Sequence, residues 1–408
     1  LRYCYEATLE SDRLVAVHNV LKFLNLSTQD WALEARLLNW ITFLWLFVGL
    51  AVLFSASYAI AEATLGDGLH YFKIQILWIC LGLIGFNLLV HSPLRYIVGL
   101  ANWFTLIILG LVLMTLLPGL GTTVNGATRW LVIGPIGIQP SELIKPFLVL
   151  QSARIFGRWE NLTWATRLTW LGIFVLTLVA ILFQPNLSTA ALCGMMLWLI
   201  AVAAGLPFSY LFMSAGTGLL AAIVSVSIKT YQRRRLISFL NPWADPRQDG
   251  YQLIQSLLAI GSGGFWGTGF GLSQQKLFYL PIQYTDFIFA VFAEEFGFVG
   301  CFLLMLLLAT YGTIALRVAI KTTNRVHQLI AIGVMILMVG QSLLNIGVAT
   351  GALPTTGLPF PLFSYGGSSM IASLASAGLL IRVARENCGG EILKLGKTQF
   401  SEGVQETR

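Results

Sequence analysis

The sequence predicts an all-α polytopic membrane protein of about ten transmembrane helices, with one large extracellular loop between the seventh and eighth. Three observations predict it. Hydrophobic residues fill 56% of the 408 positions and charged residues only 11%, against about 25% charged in a soluble domain. The mean hydropathy is +0.77. The apolar residues gather into runs near the 20 or so residues that cross a bilayer. A chain of this length with so little charge has no means of coating a globule.

The runs fall at 40–62, 72–91, 96–117, 139–157, 164–183, 187–205, 207–228, 286–316, 327–349 and 362–384. The fourth is the least hydrophobic, because it carries Glu142 and Lys145. Between 164 and 228, one apolar stretch is cut into three by "QPN" (Gln184–Asn186) and "GLP" (Gly205–Pro207), since proline ends a helix and glycine turns the chain. Residues 1–39 read as a polar cytoplasmic tail in which "DWALEARLLNW" (Asp30–Trp40) lies along the membrane surface. Residues 40–386 form the membrane domain, 229–285 its large outer loop, and 387–408 a polar, mobile cytoplasmic tail. The first long apolar run begins only near Trp40, so no cleavable leader is read.

The net charge is +7. The basic residues sit mainly between apolar runs, which marks topology rather than nucleic-acid binding. Placing the N-terminus in the cytoplasm puts Arg36, Arg95, Arg154, Arg158, Arg167, Arg317, Lys321, Arg325, Arg382 and Arg385 inside. Ten helices then return the C-terminus to the same side. The long loop is basic although it lies outside, with Lys229, Arg233, Arg234, Arg235, Arg247 and Lys276 against Asp245 and Asp249. An anionic lipid headgroup or pyrophosphate is a natural counterpart. The five cysteines and four histidines are dispersed, so neither a disulfide framework nor a zinc site is indicated. No organic cofactor is expected. The absence of a strong internal repeat weighs against a transporter built from inverted repeats.

Four segments differ from ordinary membrane-spanning sequence. "NGATRWLVIGPIGIQPSELIK" (Asn125–Lys145) places Arg129 and Trp130 in an outer loop and then opens a helix at Pro140, with Ser141 as a cap. Glu142 and Lys145 stand three apart on one helix face. They are either a functional pair, the usual reading of ionisable groups at membrane depth, or a structural ion pair. In "QPNLSTAAL" (Gln184–Leu192), Ser188 and Thr189 are expected to bond into a helix start. The third segment, Asn241–Gly300, is rich in glycine and carries the amphipathic "YQLIQSLLAI" (Tyr251–Ile260), which suits the interface. Its glycines lack the spacing and βαβ context of a nucleotide fingerprint and instead permit close backbone approach. It brings Asp286 to the outer mouth of a helix, either as a cap with Thr285 or as a functional carboxylate. Glu294 and Glu295 follow two to three turns deeper, where at least one must face the bundle interior or water. The fourth, "ATGALPTTGLPFPLFSYGGSSMIASL" (Ala349–Leu374), is stiffened by three prolines. Its Ser364, Tyr365, Gly366, Gly367 and Ser368 either pack helices closely or offer donors to a polar ligand.

Taken in order, "NGATRW", "QPSELIK", "GYQLIQSLLAIGSGG", "QKLFYLP", "TDFIFAVFAEEFGFVG" and "LPTTGLPFPLFSYGGSS" resemble the SEDS family of peptidoglycan polymerases across roughly 41–386. "GTGFGLSQQKLFYLP" resembles its FtsW division branch. The resemblance implies ten transmembrane helices and polymerisation of lipid II during septal wall synthesis, with release of undecaprenyl diphosphate. It also implies a class B penicillin-binding protein and other divisome proteins as partners, and a plasma-membrane location at the septum. The family's essential loop aspartate falls on Asp286. Before it, Ile282 and Tyr284 stand where the family carries Glu and His, and Asn186 stands where it carries Asp.

On this reading Asp286 is the general base, with Arg129, Lys276 and Arg233–Arg235 toward the pyrophosphate and Trp130 toward a sugar ring. Glu142, Lys145 and Ser364–Ser368 complete the expected substrate site. A divalent cation, Mg2+ or Mn2+, bound by Asp286 and phosphate oxygens is the competing role for that aspartate. The rival functions are a lipid II flippase and a division-site scaffold.

Overall fold

The computed structural model describes residues 31–405 apart from Asn125, Gly126, Pro135, Lys229, Asp249 and Phe278. Most of the expected N-terminal tail, and Lys229 and Asp249 of the basic loop, therefore lie outside the described residues.

Ten of the helices build the membrane body. They are α1 Leu33–Leu65, α2 His70–His91, α3 Leu94–Met114, α4 Pro140–Phe156, α5 Trp164–Phe183, α6 Leu187–Ala203 and α7 Phe208–Ile228. After two loop helices, α8 Thr230–Leu240 and α9 Tyr251–Ser262, come α10 Ile288–Lys321, α11 Arg325–Ala349 and α12 Gly367–Gln405. Eight of these are long and apolar enough to cross a membrane. The other two, α4 and α6, have 17 residues each, which is the lower limit for a span. The protein is thus multi-pass.

The least hydrophobic of the ten expected spans is the most enclosed. Buried residues surround α4 on every side, against α3, α6, α11 and α12. A helix shielded from lipid can carry ions, whereas one facing lipid must be apolar all round. The opposite case is α7, whose one buried residue is Leu211. With little hydrophobic gain available between helices in lipid, association rests on close packing and interhelical hydrogen bonds. Gly49 of α1 shows the closeness: a Cβ there would meet the Leu362 carbonyl at 2.2 Å.

Several boundaries differ from expectation. Residues 33–40 do not lie on the surface but continue into α1, because Ala35 and Leu38 are buried in the bundle and nothing breaks the helix. Ser141 does not cap α4; the cap position is Gln139, without a side-chain bond, and Pro140 occupies the first turn. Asn186, not Ser188 or Thr189, caps α6 by accepting from the Thr189 N–H. The tenth span begins at Gly367 rather than 362 and its helix runs on to Gln405, so the expected mobile tail is largely helical. The loop before α4 folds into a three-stranded antiparallel sheet, β1 Gly121–Val124, β2 Ala127–Ile133 and β3 Ile136–Ile138, in that order. Thr122 pairs with Trp130 and Leu131 with Ile138.

The most irregular element is α10, which breaks at Gly297 (φ 62°, ψ −162°). The glycine-rich turn after α9 enters the break. Thr268 and Gly269 N–H donate to the Glu294 and Glu295 carbonyls, and Gly264 and Phe265 carbonyls accept from Phe298 and Val299. These bonds replace the helix bonds lost at the kink, as irregular backbone at membrane depth requires. A Cβ on Gly263 or Gly267 would meet an α10 carbonyl at 2.2 Å, so both positions need glycine. On its other side α9 does not lie free at the interface; Ser256 donates to the Ala349 carbonyl.

Candidate active site

Asp286 precedes the first turn of α10. The cap position of that helix is Phe287, with no side-chain cap bond, and the Thr285 hydroxyl donates instead to the Ile282 carbonyl. The capping role is therefore not the one Asp286 plays. Three successive carbonyls are held by residues from the other end of the chain. Tyr284 O accepts from Tyr365 N–H, Thr285 O from the Ser364 hydroxyl, and Asp286 O from Asn345 Nδ2. The carboxylate is partly buried. Its Oδ2 lies 3.3 Å from where a Cβ on Gly357 would stand, and Gly357 has φ +71°.

Two cations on separate elements lie within electrostatic range of it. Arg129 on β2 is anchored through Nε to the Gln184 carbonyl (3.2 Å) and through Nη2 to the Pro185 carbonyl (2.5 Å). Arg235 on α8 donates to the Thr355 carbonyl at 3.1 Å. Both guanidinium groups act on Asp286 by Coulomb attraction. Burial outweighs them and pushes its carboxyl up to about 6, with Arg235 and Arg129 pulling the other way. Of the Arg233–Arg235 cluster, Arg235 is the half-buried member whose charge reaches the aspartate; Arg233 and Arg234 are exposed. Trp130, next to Arg129, keeps part of its ring open while Gly137 lies against the remainder, a Cβ there reaching Cε3 at 3.4 Å.

Other expected site residues are engaged inside the protein. Lys276 is buried, with Nζ 2.7 Å from Glu295 Oε1 and 2.7 Å from Ser55 Oγ, so its ammonium ties the loop to α10 and α1 rather than facing Asp286. The expectation that it meets a pyrophosphate gives way to that pairing. Glu294, also buried, accepts from the Ser273 hydroxyl and from Gln274 N–H. Lys145 Nζ contacts both oxygens of Glu142 at 2.7 and 2.8 Å and Gln341 Oε1 at 3.1 Å. This pair lines a small cavity with Gln341, Ser369, Ser373 and Ser376. Ser364 also accepts from Phe360 N–H, Gly366 N–H donates to Gln75, and Ser368 accepts from Gln139 N–H. Gly367 admits Trp78, which a Cβ would meet at 2.3 Å. Within this segment Ser364 and Tyr365 hold the Asp286 loop, while Gly366 and Ser368 bond to Gln75 of α2 and Gln139 before α4.

Asn345, Gln341 and Gly357 were not singled out by the sequence. A signal existed: Gln341 and Asn345 are uncharged polar residues four apart inside an otherwise apolar span, the pattern of interhelical hydrogen bonding. Tyr284, at the position where the family carries His, stacks on Tyr71 with ring centroids 4.7 Å apart.

No three His, Cys, Asp or Glu side chains converge among the described residues. Both oxygens of Glu142 are on Lys145, leaving Asp286 as the carboxylate available at this mouth. A divalent cation fits here only as an ion shared with ligands that the substrate supplies.

The family model described as "Cell cycle protein", covering FtsW, RodA and SpoVE, matches residues 35–388. The "Probable peptidoglycan glycosyltransferase FtsW" of Synechocystis sp. is 59% identical over 366 residues, covering 90% of this chain and 93% of that protein. "Stage V sporulation protein E" of Bacillus subtilis is 35% identical, with 85% and 95% covered. Among solved structures, a chain of a peptidoglycan synthase complex coordinating polymerisation and crosslinking superposes with TM-score 0.71 at 29% identity, covering 88% of this chain and 99% of that one. The rod shape determining protein RodA of Thermus thermophilus gives 0.63 at 28% identity, with 88% and 98% covered. With its fold, its motifs in order and relatives along nearly its whole length, the chain belongs to the FtsW, RodA and SpoVE family, the SEDS membrane proteins.

Proposed function

We propose that this protein is a peptidoglycan glycosyltransferase that polymerises lipid II during septal wall synthesis. The observation that carries the reading is the partly buried carboxylate of Asp286, on a loop held by Tyr365, Ser364 and Asn345 and with the anchored guanidinium groups of Arg129 and Arg235 near enough to act on its charge. Glycosyl transfer from a pyrophosphate-linked sugar needs a base for the attacking hydroxyl and positive charge for the leaving group. Asp286 takes the proton of the acceptor's GlcNAc 4-hydroxyl as its oxygen bonds to the anomeric carbon of the donor sugar. The bond from that carbon to the pyrophosphate oxygen breaks, and undecaprenyl diphosphate departs toward the guanidinium groups of Arg129 and Arg235. Trp130, partly exposed beside Arg129, stacks on a sugar ring in this reading. The Glu142–Lys145 pair acts through the protein, bonded to Gln341. In the competing role for that aspartate, Asp286 would hold a divalent cation, Mg2+ or Mn2+, with phosphate oxygens of the donor, and the ion would offset charge on the leaving group.

The mouth bearing Asp286 faces outward in this reading, and both termini are cytoplasmic, since Arg154, Arg158, Arg382 and Arg385 lie at the other end. The partner is a class B penicillin-binding protein supplying the transpeptidase; the synthase complex with the same fold supports this. Division-site proteins complete the setting at the septal plasma membrane.

The test is polymerisation of labelled lipid II by purified protein, with and without the transpeptidase, in Mg2+, Mn2+ or chelator. Wild type is expected to give glycan ladders that a folded Asp286→Ala variant does not. Ladders persisting in that variant would remove Asp286 from catalysis. No ladder under any condition, with translocation of lipid II in liposomes, would favour a flippase; neither activity would leave a scaffold.

A further inference from the structure

Asp286 is held at its backbone, and the residue that holds it also holds the segment beside its carboxylate. Asn345 is 1% exposed. Its Nδ2 donates to the Asp286 carbonyl at 2.9 Å and to the Leu358 carbonyl at 2.8 Å. Leu358 follows Gly357, the residue beside Asp286 Oδ2. One amide therefore fixes both the aspartate and the wall against which its carboxylate lies. One turn earlier on the same face of α11, Gln341 Nε2 donates to the Pro359 carbonyl at 2.6 Å while its Oε1 accepts from Lys145. Hydrogen bonds joined by the Leu358–Pro359 backbone connect the Glu142–Lys145 pair through Gln341 and Asn345 to the Asp286 carbonyl. The Asn345 Oδ1 atom is buried and has no hydrogen-bond partner. An amide retained with one end unsatisfied is costly unless its other end is needed.

We propose that Asn345 is a positioning residue for Asp286, setting the carboxylate by locking the Asp286 backbone to the Gly357–Pro359 wall. The proposal rests on Asp286 being the general base. Small misplacements of a reacting group cost rate out of proportion to their size. A group that only positions the base lowers turnover without changing substrate affinity.

The experiment uses full-length protein with its transpeptidase and lipid II, and compares wild type, Asn345→Leu, Asn345→Asp and Asp286→Asn. Both Asn345 variants keep the number of side-chain heavy atoms, Asn345→Asp with nearly the same volume, and both lack the amide donor. Each is first checked by thermal unfolding, and Asn345→Asp is read if Asn345→Leu does not fold. The expected result is a fall in kcat of about tenfold or more, with KM for lipid II within about twofold. The acid limb of the kcat/KM profile should move to lower pH in Asn345→Leu as the loosened carboxylate gains water, and to higher pH in Asn345→Asp, where a second carboxylate stands near it. Wild-type kcat and pH profile in a folded Asn345 variant, with Asp286→Asn inactive, would overturn the positioning role alone. A rise in KM at constant kcat would overturn it too, by making Asn345 a substrate contact. An active Asp286→Asn would instead remove the base on which the proposal rests.

Discussion

Lys276 Nζ lies 2.7 Å from Glu295 Oε1, and both residues are closed off from solvent. Their pairing fastens the outer loop to the half of α10 that begins beside Asp286. Removing one partner strands a buried charge, which costs about 3–5 kcal/mol, whereas replacing both with apolar groups of similar volume is often near neutral. Lys276→Met is therefore expected to lower the thermal midpoint sharply, and Lys276→Met with Glu295→Leu to recover most of the loss. A Lys276→Met protein of wild-type stability but defective in polymerisation would return the ammonium to the substrate.

Gly297→Ala tests the broken helix. A non-glycine residue at φ 62°, ψ −162° occupies a region that is essentially glycine-only, at about 1–3 kcal/mol. The added Cβ would also meet Gly267 N at 2.2 Å, so the inserted turn must withdraw. Limited proteolysis is expected to cut the 263–276 segment faster than in wild type, with a lower unfolding midpoint. Unchanged proteolysis would mean that the insertion does not depend on this glycine.

Much of this arrangement was legible in the sequence, and the missing part has a physical cause. Hydropathy located the spans because lipid imposes a length and a composition on each. The glycines of 263–271 announced close backbone approach. Lys276 and Glu295 are 19 residues apart, and nothing local in either says that the chain folds back to join them. Ser364 read equally well as a ligand donor or a packing residue, because a hydroxyl serves both; only its bond to the Thr285 carbonyl separates the two. Arg129 and Arg235 could be named as candidates, but their convergence on one carboxylate is a property of the tertiary fold.

The Asp286 carboxyl, pushed up to about 6 by burial, makes stability and activity run in opposite directions with pH. The folded form binds its proton more tightly than the unfolded chain, whose value is near 3.8. The contribution to stability is then full below pH 4 and is lost as pH rises through about 6. The full shift corresponds to about 3 kcal/mol, nearer 1–2 for a partly exposed group screened by solvent. Asp286→Asn is expected to be inactive yet more stable than wild type at pH 8, with the difference shrinking at pH 4.5. Thermal unfolding at the two pH values checks this; equal midpoints at pH 8 would show that ionising Asp286 costs the fold nothing.

Arg235 gives a prediction of opposite sign to the Asn345→Leu variant. Its guanidinium lowers the Asp286 pKa by Coulomb attraction, so Arg235→Gln leaves the carboxyl protonated to higher pH. The acid limb of kcat/KM should move up from about 6. KM for lipid II should also rise, since the same cation meets the pyrophosphate in the proposed reaction. Arg235→Lys keeps the charge but loses the planar fork that reaches the Thr355 carbonyl, because an ammonium is a point charge on a flexible stem. It is expected to restore the position of the acid limb more fully than it restores KM. If Arg235→Gln moves KM while the acid limb stays in place, the guanidinium serves the substrate alone, and burial by itself sets the proton affinity of Asp286.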